Sequence, residues 1–476
     1  MTLLSAGKIP YDQHPLCLAP DDTAVIEGSV RSGHDDIQPH VRLVDAPQRG
    51  LEAPDELPRT WADRGQVRAL SGARSLSPKR GRSPLRVVLD GRWIRMDSGI
   101  GRYGYELARA LPKAAHDLSL EVLLPSQDDP LVRDLAERPE GFRPVRTKQV
   151  PHGARGIAEL LSLLARRRPC LYHAPDWMAL PPLPAAWRTV VTIHDLIPLV
   201  APQEVPRSFK ARHPWIYRTA ISSVTRFADA VLTDSQLWAD EIRSRLRISP
   251  HRIHPIPLGV GSPAPRDESQ IRSVRKKLAL GDRPYFLFVG RPEPYKGLVR
   301  LIRAFARGLD PFMLVLAGPL DPRYPEASQA ARDLGLETRV RITGRMDGAS
   351  LDALYCDATA FVTLSRLEGF GLPPLEAMVR GIPVVAGRCS VFPGVLGDAA
   401  LLVDVDSEAE VVRALEQVAK DSAIRRRLVE RGRERASALT WERCAAKTVA
   451  IYRRVAERQG QPVESPARYV DASCPG

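Results

Sequence analysis

From Leu85 onward, short apolar runs alternate with longer amphipathic segments, the pattern of repeated strand–helix units wound around a parallel sheet. The runs fall into two series. The first predicts strands at Leu85–Leu89, Leu120–Leu124, Thr189–Ile193, Ala230–Thr233 and Ile253–Pro257; the second predicts Tyr285–Val289, Met313–Ala317, Val340–Thr343, Ala360–Leu364, Pro383–Ala386 and Ala400–Val403. Between them Gly259 to Gln270 is rich in Gly, Pro and Ser. The expected fold class is therefore α/β, with two Rossmann-like, doubly wound domains, 85–262 and 263–440, facing a cleft. Leu298, Leu301, Ile302, Phe305 and Leu309 follow helical spacing, and Trp441, Ala445, Val449, Tyr452 and Val455 mark a last helix, 441–458, that crosses back to the first domain. Residues 1–84 hold nine prolines and no sustained period, so a disordered extension is expected there, with a polar tail at 459–476.

The chain carries 69 Lys and Arg against 56 Asp and Glu, a formal +13, which favours anionic partners. Residues 1–84 balance eleven against eleven, so the whole excess lies in the folded part. Basic runs at Arg166–Arg168 and Arg425–Arg427 come without a helix-turn-helix, zinc-finger or RNA-binding signature, so no nucleic acid is expected as a partner. Arg207, Lys210, Arg212 and Arg218, interleaved with Phe209, Trp215 and Tyr217, form a candidate surface for anionic lipid or a lipid-diphosphate acceptor, with a plain solvated helix face as the alternative. No run of about 18 apolar residues exists, and Met1–Pro10 is too short and polar for a secretory signal. A cytoplasmic protein, peripheral on the inner face of a membrane, is expected. The six cysteines (17, 170, 356, 389, 444 and 474) are scattered, without CxxC pairs or nearby histidines, which predicts reduced thiols and no metal site.

Gly99-Ile100-Gly101-Arg102-Tyr103-Gly104 is formally GxGxxG, but nine residues separate it from Leu89, and the acidic residue about 20 positions on, Glu121, begins a strand. A dinucleotide site is not expected. What remains is a glycine turn allowing close backbone approach and a helix, Arg102–Leu111, whose positive end points into the cleft; a tight loop without ligand is the alternative.

The second series is more informative. Strand Tyr285–Val289 runs into Gly290-Arg291-Pro292-Glu293-Pro294-Tyr295-Lys296-Gly297, placing two cations five residues apart at the carboxyl end of a parallel strand. A planar fork and a mobile point charge suit a diphosphate. After Ala360–Leu364 comes Ser365-Arg366-Leu367-Glu368-Gly369-Phe370-Gly371-Leu372-Pro373-Pro374-Leu375-Glu376-Ala377-Met378. Its glycines free N–H groups to face a phosphate, and its two carboxylates can accept from sugar hydroxyls on either side. A glycosidase pair would want no Arg–Lys clamp. In the first series Thr192-Ile193-His194-Asp195 ends a strand on the same cleft, where His194 hydrogen-bonds a sugar, moves a proton or serves structure alone.

These residues resemble glycosyltransferase family 4, the retaining GT-B enzymes, and more closely its mannosyltransferases. The matching pieces are GIGRY at Gly99–Tyr103, HDLIP at His194–Pro198, VGRPEPYKG at Val289–Gly297, LAGP at Leu316–Pro319, ITGR at Ile342–Arg345, EGFGLPPLEAM at Glu368–Met378, GIPVV at Gly381–Val385 and TWE at Thr440–Glu442. The resemblance implies the GT-B fold and a metal-independent hexosyltransferase that needs no cofactor. Its co-substrate would be a nucleotide-diphosphate sugar such as GDP-mannose, and its acceptor a glycan or lipid-linked sugar of surface polysaccharide synthesis. By the same resemblance Arg291 and Lys296 neutralise the departing diphosphate, Glu368 binds the donor hexose and Glu376 holds the ribose. Phe370, Gly371 and Leu372 lend backbone amides, His194, Gly99 and Gly101 border sugar and acceptor, and Gly290 and Gly369 complete the substrate-binding set. A UDP-glucose or UDP-N-acetylglucosamine enzyme, or a catalytically weak scaffold, remains open. Two departures stand out: Leu364 where many members have Pro, and Gly394 where many have Glu.

Overall fold

The computed structural model describes residues 84–457 except 96–97, 127–128, 138, 150–152, 169, 180–182 and 185. The expected extension before Pro84 and the expected tail at 459–476 lie outside the described residues.

The first half of the chain runs β1 (Leu85–Asp90), α1 (Gly99–Ala114), β2 (Leu118–Leu124), α2 (Pro130–Glu137), β3 (Arg143–Arg146), α3 (Ala154–Ala165), β4 (Leu171–Ala174), β5 (Arg188–Thr192), α4 (Ile197–Val200), α5 (Phe209–Arg212), α6 (Pro214–Phe227), β6 (Ala230–Thr233), α7 (Gln236–Leu246) and β7 (Ile253–Pro255). The second half continues with α8 (Glu268–Lys277), β8 (Tyr285–Val289), α9 (Leu298–Phe305), β9 (Met313–Ala317), α10 (Glu326–Asp333), β10 (Val340–Gly344), α11 (Gly348–Asp357), β11 (Ala360–Thr363), α12 (Leu372–Val379), β12 (Val384–Gly387), α13 (Phe392–Leu396), β13 (Ala400–Val403), α14 (Glu408–Lys420), α15 (Ser422–Ser437) and α16 (Trp441–Glu457).

Two parallel sheets result, seven strands ordered β3-β2-β1-β4-β5-β6-β7 and six ordered β10-β9-β8-β11-β12-β13. Each is doubly wound, as the two strand series require. Chain order reverses between β1 and β4 and between β8 and β11, and the crevice outside such a switch point is where open α/β sheets bind ligands. Alternate side chains of each strand cover opposite faces. Phe286, Phe288, Leu314 and Leu316 pack with the α9 stripe and with Val411, Leu415 and Val418 of α14. Tyr285, Leu287 and Val315 face Ile271 and Val274 of α8 and Leu354 of α11.

Two strands escape the sequence pattern. Edge strand β3 reads Arg-Pro-Val-Arg with no fully buried side chain, so it lacks an apolar run; an edge position also tolerates its proline. Central β4 is buried throughout but holds only Leu171, Tyr172, His173 and Ala174, too short a run to stand out.

α1 begins at Gly99, three residues before the sequence expectation, so the glycine motif forms its first turn rather than a strand-to-helix loop. The preceding segment is fixed by a buried ion pair: Arg92 donates to both oxygens of Asp90, and its Nη1 reaches the Gly156 carbonyl at 3.1 Å. The apolar stripe of α16 is buried, and the helix packs along α1 of the first sheet. Val260 donates to the Leu439 carbonyl at 2.9 Å, so the linker and the approach to α16 run side by side.

Candidate active site

The loops after β8 and β11 converge because of hydrogen bonding and one glycine. The Arg366 amide donates to the Tyr295 carbonyl at 2.8 Å. Gly297 takes φ +72°, and a β-carbon there would stand 2.4 Å from the Leu364 carbonyl oxygen. Only glycine meets both demands. Lys296, one residue earlier, is thereby brought to Glu368, and its Nζ donates to both carboxylate oxygens at 2.8 Å.

Glu368 is also held through its backbone. Its N–H donates to Ser390 Oγ at 3.1 Å, and its carbonyl accepts from Trp238 Nε1 at 2.7 Å. Trp238 belongs to α7, so the first domain grips the loop after β11 directly. Gly371, at φ +89°, caps α12 without a side-chain partner, leaving that helix's positive end toward the cleft. Phe370 is buried and Leu372 starts the helix.

The other expected residues sit around this pair. Arg291 donates to Glu293 at 2.9 Å and lies 3.8 Å from Asp321, half-exposed at the cleft edge rather than against Lys296. Glu376 accepts from Tyr355 Oη at 3.0 Å. The Gly290 amide is already used by the Ala317 carbonyl at 2.9 Å. Gly99 borders open space, whereas the place of a β-carbon on Gly101 is taken by the backbone of Arg95 and Trp93. Gly369 rests on the first domain, its β-carbon position 3.4 Å from the His194 carbonyl oxygen.

His194 donates from Nδ1 to Asp234 at 2.9 Å and from Nε2 to the Pro175 carbonyl at 3.1 Å. Both partners are acceptors, so the ring holds two protons. Burial opposes that charge, but Asp234, with Asp176 and Asp195, outweighs it and pushes the imidazole up to about 9. His173, absent from the sequence expectation, is its opposite. Burial first, then the charge of His194, pushes it down to about 3. Neutral, it bridges Tyr452 Oη of α16 at 2.6 Å and Thr192 Oγ1 at 2.8 Å, and Thr192 Oγ1 meets Tyr103 Oη at 3.1 Å.

Asp195, Asp234, Trp238, Tyr355 and Ser390 were not singled out from the sequence. Each acts through a partner 21 to 174 positions away, a spacing no motif encodes. Among the described residues no three His, Cys, Asp or Glu side chains are grouped to hold a metal ion.

Residues 98–261 match the family described as Glycosyltransferase Family 4, and residues 270–435 match Glycosyl transferases group 1. The chain is 28% identical over 385 residues to O-antigen chain mannosyltransferase B of Escherichia coli, covering 75% of this chain and 96% of that one. It is likewise 28% identical over 405 residues to the MMP alpha-(1->4)-mannosyltransferase of Mycolicibacterium hassiacum, covering 76% and 95%. Among solved structures, Anabaena HepE in complex with UDP and glucose superposes with a TM-score of 0.62 at 18% identity, covering 77% of this chain and 98% of that one. The two matched segments adjoin and fill both halves of a GT-B architecture, and the chain belongs to glycosyltransferase family 4.

Proposed function

We propose that this chain is a retaining, metal-independent hexosyltransferase that moves mannose from GDP-mannose to a hydroxyl of a glycan or lipid-linked acceptor in surface polysaccharide synthesis. The observation that carries the reading is the contact between Lys296 and Glu368 at the β8–β11 switch point, at 2.8 Å to each oxygen. It sets a cation for a phosphate beside a carboxylate for sugar hydroxyls. The choice of mannose and of polysaccharide is supported by the named activities of the two relatives.

In this reading the diphosphate lies between Arg291 and Lys296, the ribose on Glu376, and the amides of Gly371 and Leu372 face a phosphate. Lys296 keeps Glu368 as one neighbour and gains the phosphate as another. As the bond from the anomeric carbon to the phosphate oxygen breaks, negative charge grows on the diphosphate, where fixed cations act on the transition state. The acceptor oxygen bonds to the anomeric carbon on the face the phosphate leaves, and its proton passes to the phosphate oxygen. Arg291 and Lys296 supply the charge stabilisation that a divalent ion supplies in other phosphate chemistry.

The reading includes a peripheral contact with an anionic membrane. Val205 to Ala228 holds five Arg and Lys and no Asp or Glu. Phe209, Trp215 and Phe227 are 60%, 71% and 63% exposed. The patch differs from the sequence expectation at two members: Arg207 pairs with Glu326 at 2.6 Å, and Tyr217 is buried. Arg226 and Phe227 extend it along α6. Among the described residues no helix is long and apolar enough to cross a membrane.

Incubation with GDP-mannose, UDP-glucose and UDP-N-acetylglucosamine, each with and without EDTA, tests the core of the proposal. GDP release and mannosyl transfer undiminished by EDTA are expected. Absence of turnover with every donor overturns it.

A further inference from the structure

Asp195 follows His194 after β5, and its Oδ1 accepts the Ile197 amide at 2.9 Å, which fixes the carboxylate. Its other oxygen, Oδ2, lies 3.7 Å from the β-carbon position of Gly369, the neighbour of Glu368, and so opens on the donor-sugar segment. The other acids of this wall, Asp176 and Asp234, are buried, whereas Asp195 is partly exposed. Asp234 takes His194 on both oxygens at 2.9 and 3.1 Å, and Asp176 Oδ1 takes the Met178 amide at 2.8 Å. Among the described residues Asp195 forms no ion pair. Lys210, whose charge acts on Asp195, holds its ammonium 5.2 Å above Trp177 and 5.4 Å above Tyr217, rings whose centroids are 5.4 Å apart. Trp177 is partly exposed, with Met178 beside it more so.

A sugar needs both features of such a wall. Its C–H face packs on an aromatic ring, and its hydroxyls need placed acceptors. We infer that Asp195 Oδ2 accepts a hydrogen bond from the attacking hydroxyl of a sugar acceptor whose ring lies on Trp177. This assignment rests on the hexosyltransferase reading and adds the acceptor's subsite to it. Asp195 orients the hydroxyl before attack, and as the hydroxyl oxygen bonds to the anomeric carbon its proton turns from Oδ2 to the phosphate oxygen whose bond to that carbon is breaking. The proton ends on the departing phosphate, and Asp195 is unchanged after each turnover. Burial holds the Asp195 carboxyl above the ordinary carboxylate range, although the Ile197 amide, Lys210 and His194 pull the other way, and a more basic carboxylate is a stronger acceptor.

Asp195→Asn isolates the charge, because an Asn side-chain oxygen can still accept from Ile197 and preserve the turn. The assay follows GDP-mannose transfer to octyl α-mannoside, octyl α-galactoside and octyl β-glucoside, with the GDP dissociation constant measured by calorimetry. With the best of these acceptors, transfer by Asp195→Asn falls roughly 10²-fold, the low end for a positioned proton acceptor, with GDP affinity unchanged. Trp177→Ala, a second variant, raises the acceptor KM more than it lowers kcat. Transfer within threefold of wild type for Asp195→Asn, or a parallel loss of GDP binding, overturns the assignment while leaving the transferase reading intact. A wild type that hydrolyses GDP-mannose but glycosylates none of the three octyl glycosides also overturns it. A wild type that turns over no sugar nucleotide overturns both.

Discussion

The ammonium of Lys296 stands 2.8 Å from both carboxylate oxygens of Glu368, a residue 72 positions away. Both side chains are mostly shielded from water, at 14% and 15% exposure, so the pair is preorganised rather than a chance surface contact. In the proposed reading it joins the leaving-group cation to the sugar-binding carboxylate in one unit. Removing either member leaves the other partly buried and unpaired, which is costly.

Lys296→Ala is therefore expected to lower kcat with GDP-mannose by roughly 10²–10³-fold, the range for loss of one preorganised charge-stabilising donor. Glu368→Ala should lower kcat as well and raise the donor KM. Steady-state rates check both, and near-normal turnover in either variant moves the chemistry elsewhere.

His173 and His194 set opposite pH dependences on stability. His194 is raised to about 9 from an unfolded value near 6.5, so its contribution is complete below pH 6.5 and is lost as pH rises through 9. His173 is lowered to about 3, so its neutral, bonded form is favourable above pH 6.5 and is progressively penalised as pH falls below that. Each effect is of the order of a few kcal/mol. Thermal unfolding across pH 4–10 is expected to show His194→Gln flattening the alkaline fall and His173→Gln flattening the acid fall. An unchanged profile in either variant refutes its assigned protonation state.

Much of this was legible in sequence. Every strand of the second sheet was anticipated because buried parallel strands such as Tyr285–Val289 read as continuous apolar runs. β3, with arginine at both ends, and β4, with His173 in a four-residue strand, gave no such run. At the site, motif spacing pointed to Lys296 and Glu368 separately; their contact depends on the approach of Gly297 to Leu364, which is a property of sheet order. Trp238 and Ser390 hold the backbone of Glu368 from elsewhere in the chain, and a hydrogen bond to a carbonyl leaves no mark on neighbouring residue types.

Gly394 stands where many family members carry Glu. It is exposed, its β-carbon position meets nothing within 4 Å, and its φ lies outside the left-handed region, so Gly394→Glu should fold normally. Its stability should stay within about 0.5 kcal/mol of the parent, as for other surface changes. The added carboxylate is expected to lower the variant's donor KM, and an unchanged KM means this position makes no donor contact. Thermal melts and donor titrations check the two parts separately.

The aromatic and basic face of α5 and α6 is expected to bind vesicles containing phosphatidylglycerol and not vesicles of phosphatidylcholine alone. Trp215→Ser combined with Arg218→Glu and Arg226→Glu should reduce co-sedimentation several-fold and leave transfer to a soluble acceptor intact, since surface electrostatics and interfacial aromatics both contribute. Equal sedimentation of variant and parent places any membrane contact elsewhere.

The central claim is a retaining transfer driven by Arg291 and Lys296 without a metal ion. Its most direct test is the anomeric configuration of the first product formed from GDP-α-mannose in EDTA, read by NMR from the one-bond coupling at C1. An α-mannoside formed at the rate seen without EDTA is the expected result. A β-mannoside, or product that appears only when a divalent metal is restored, would contradict the account.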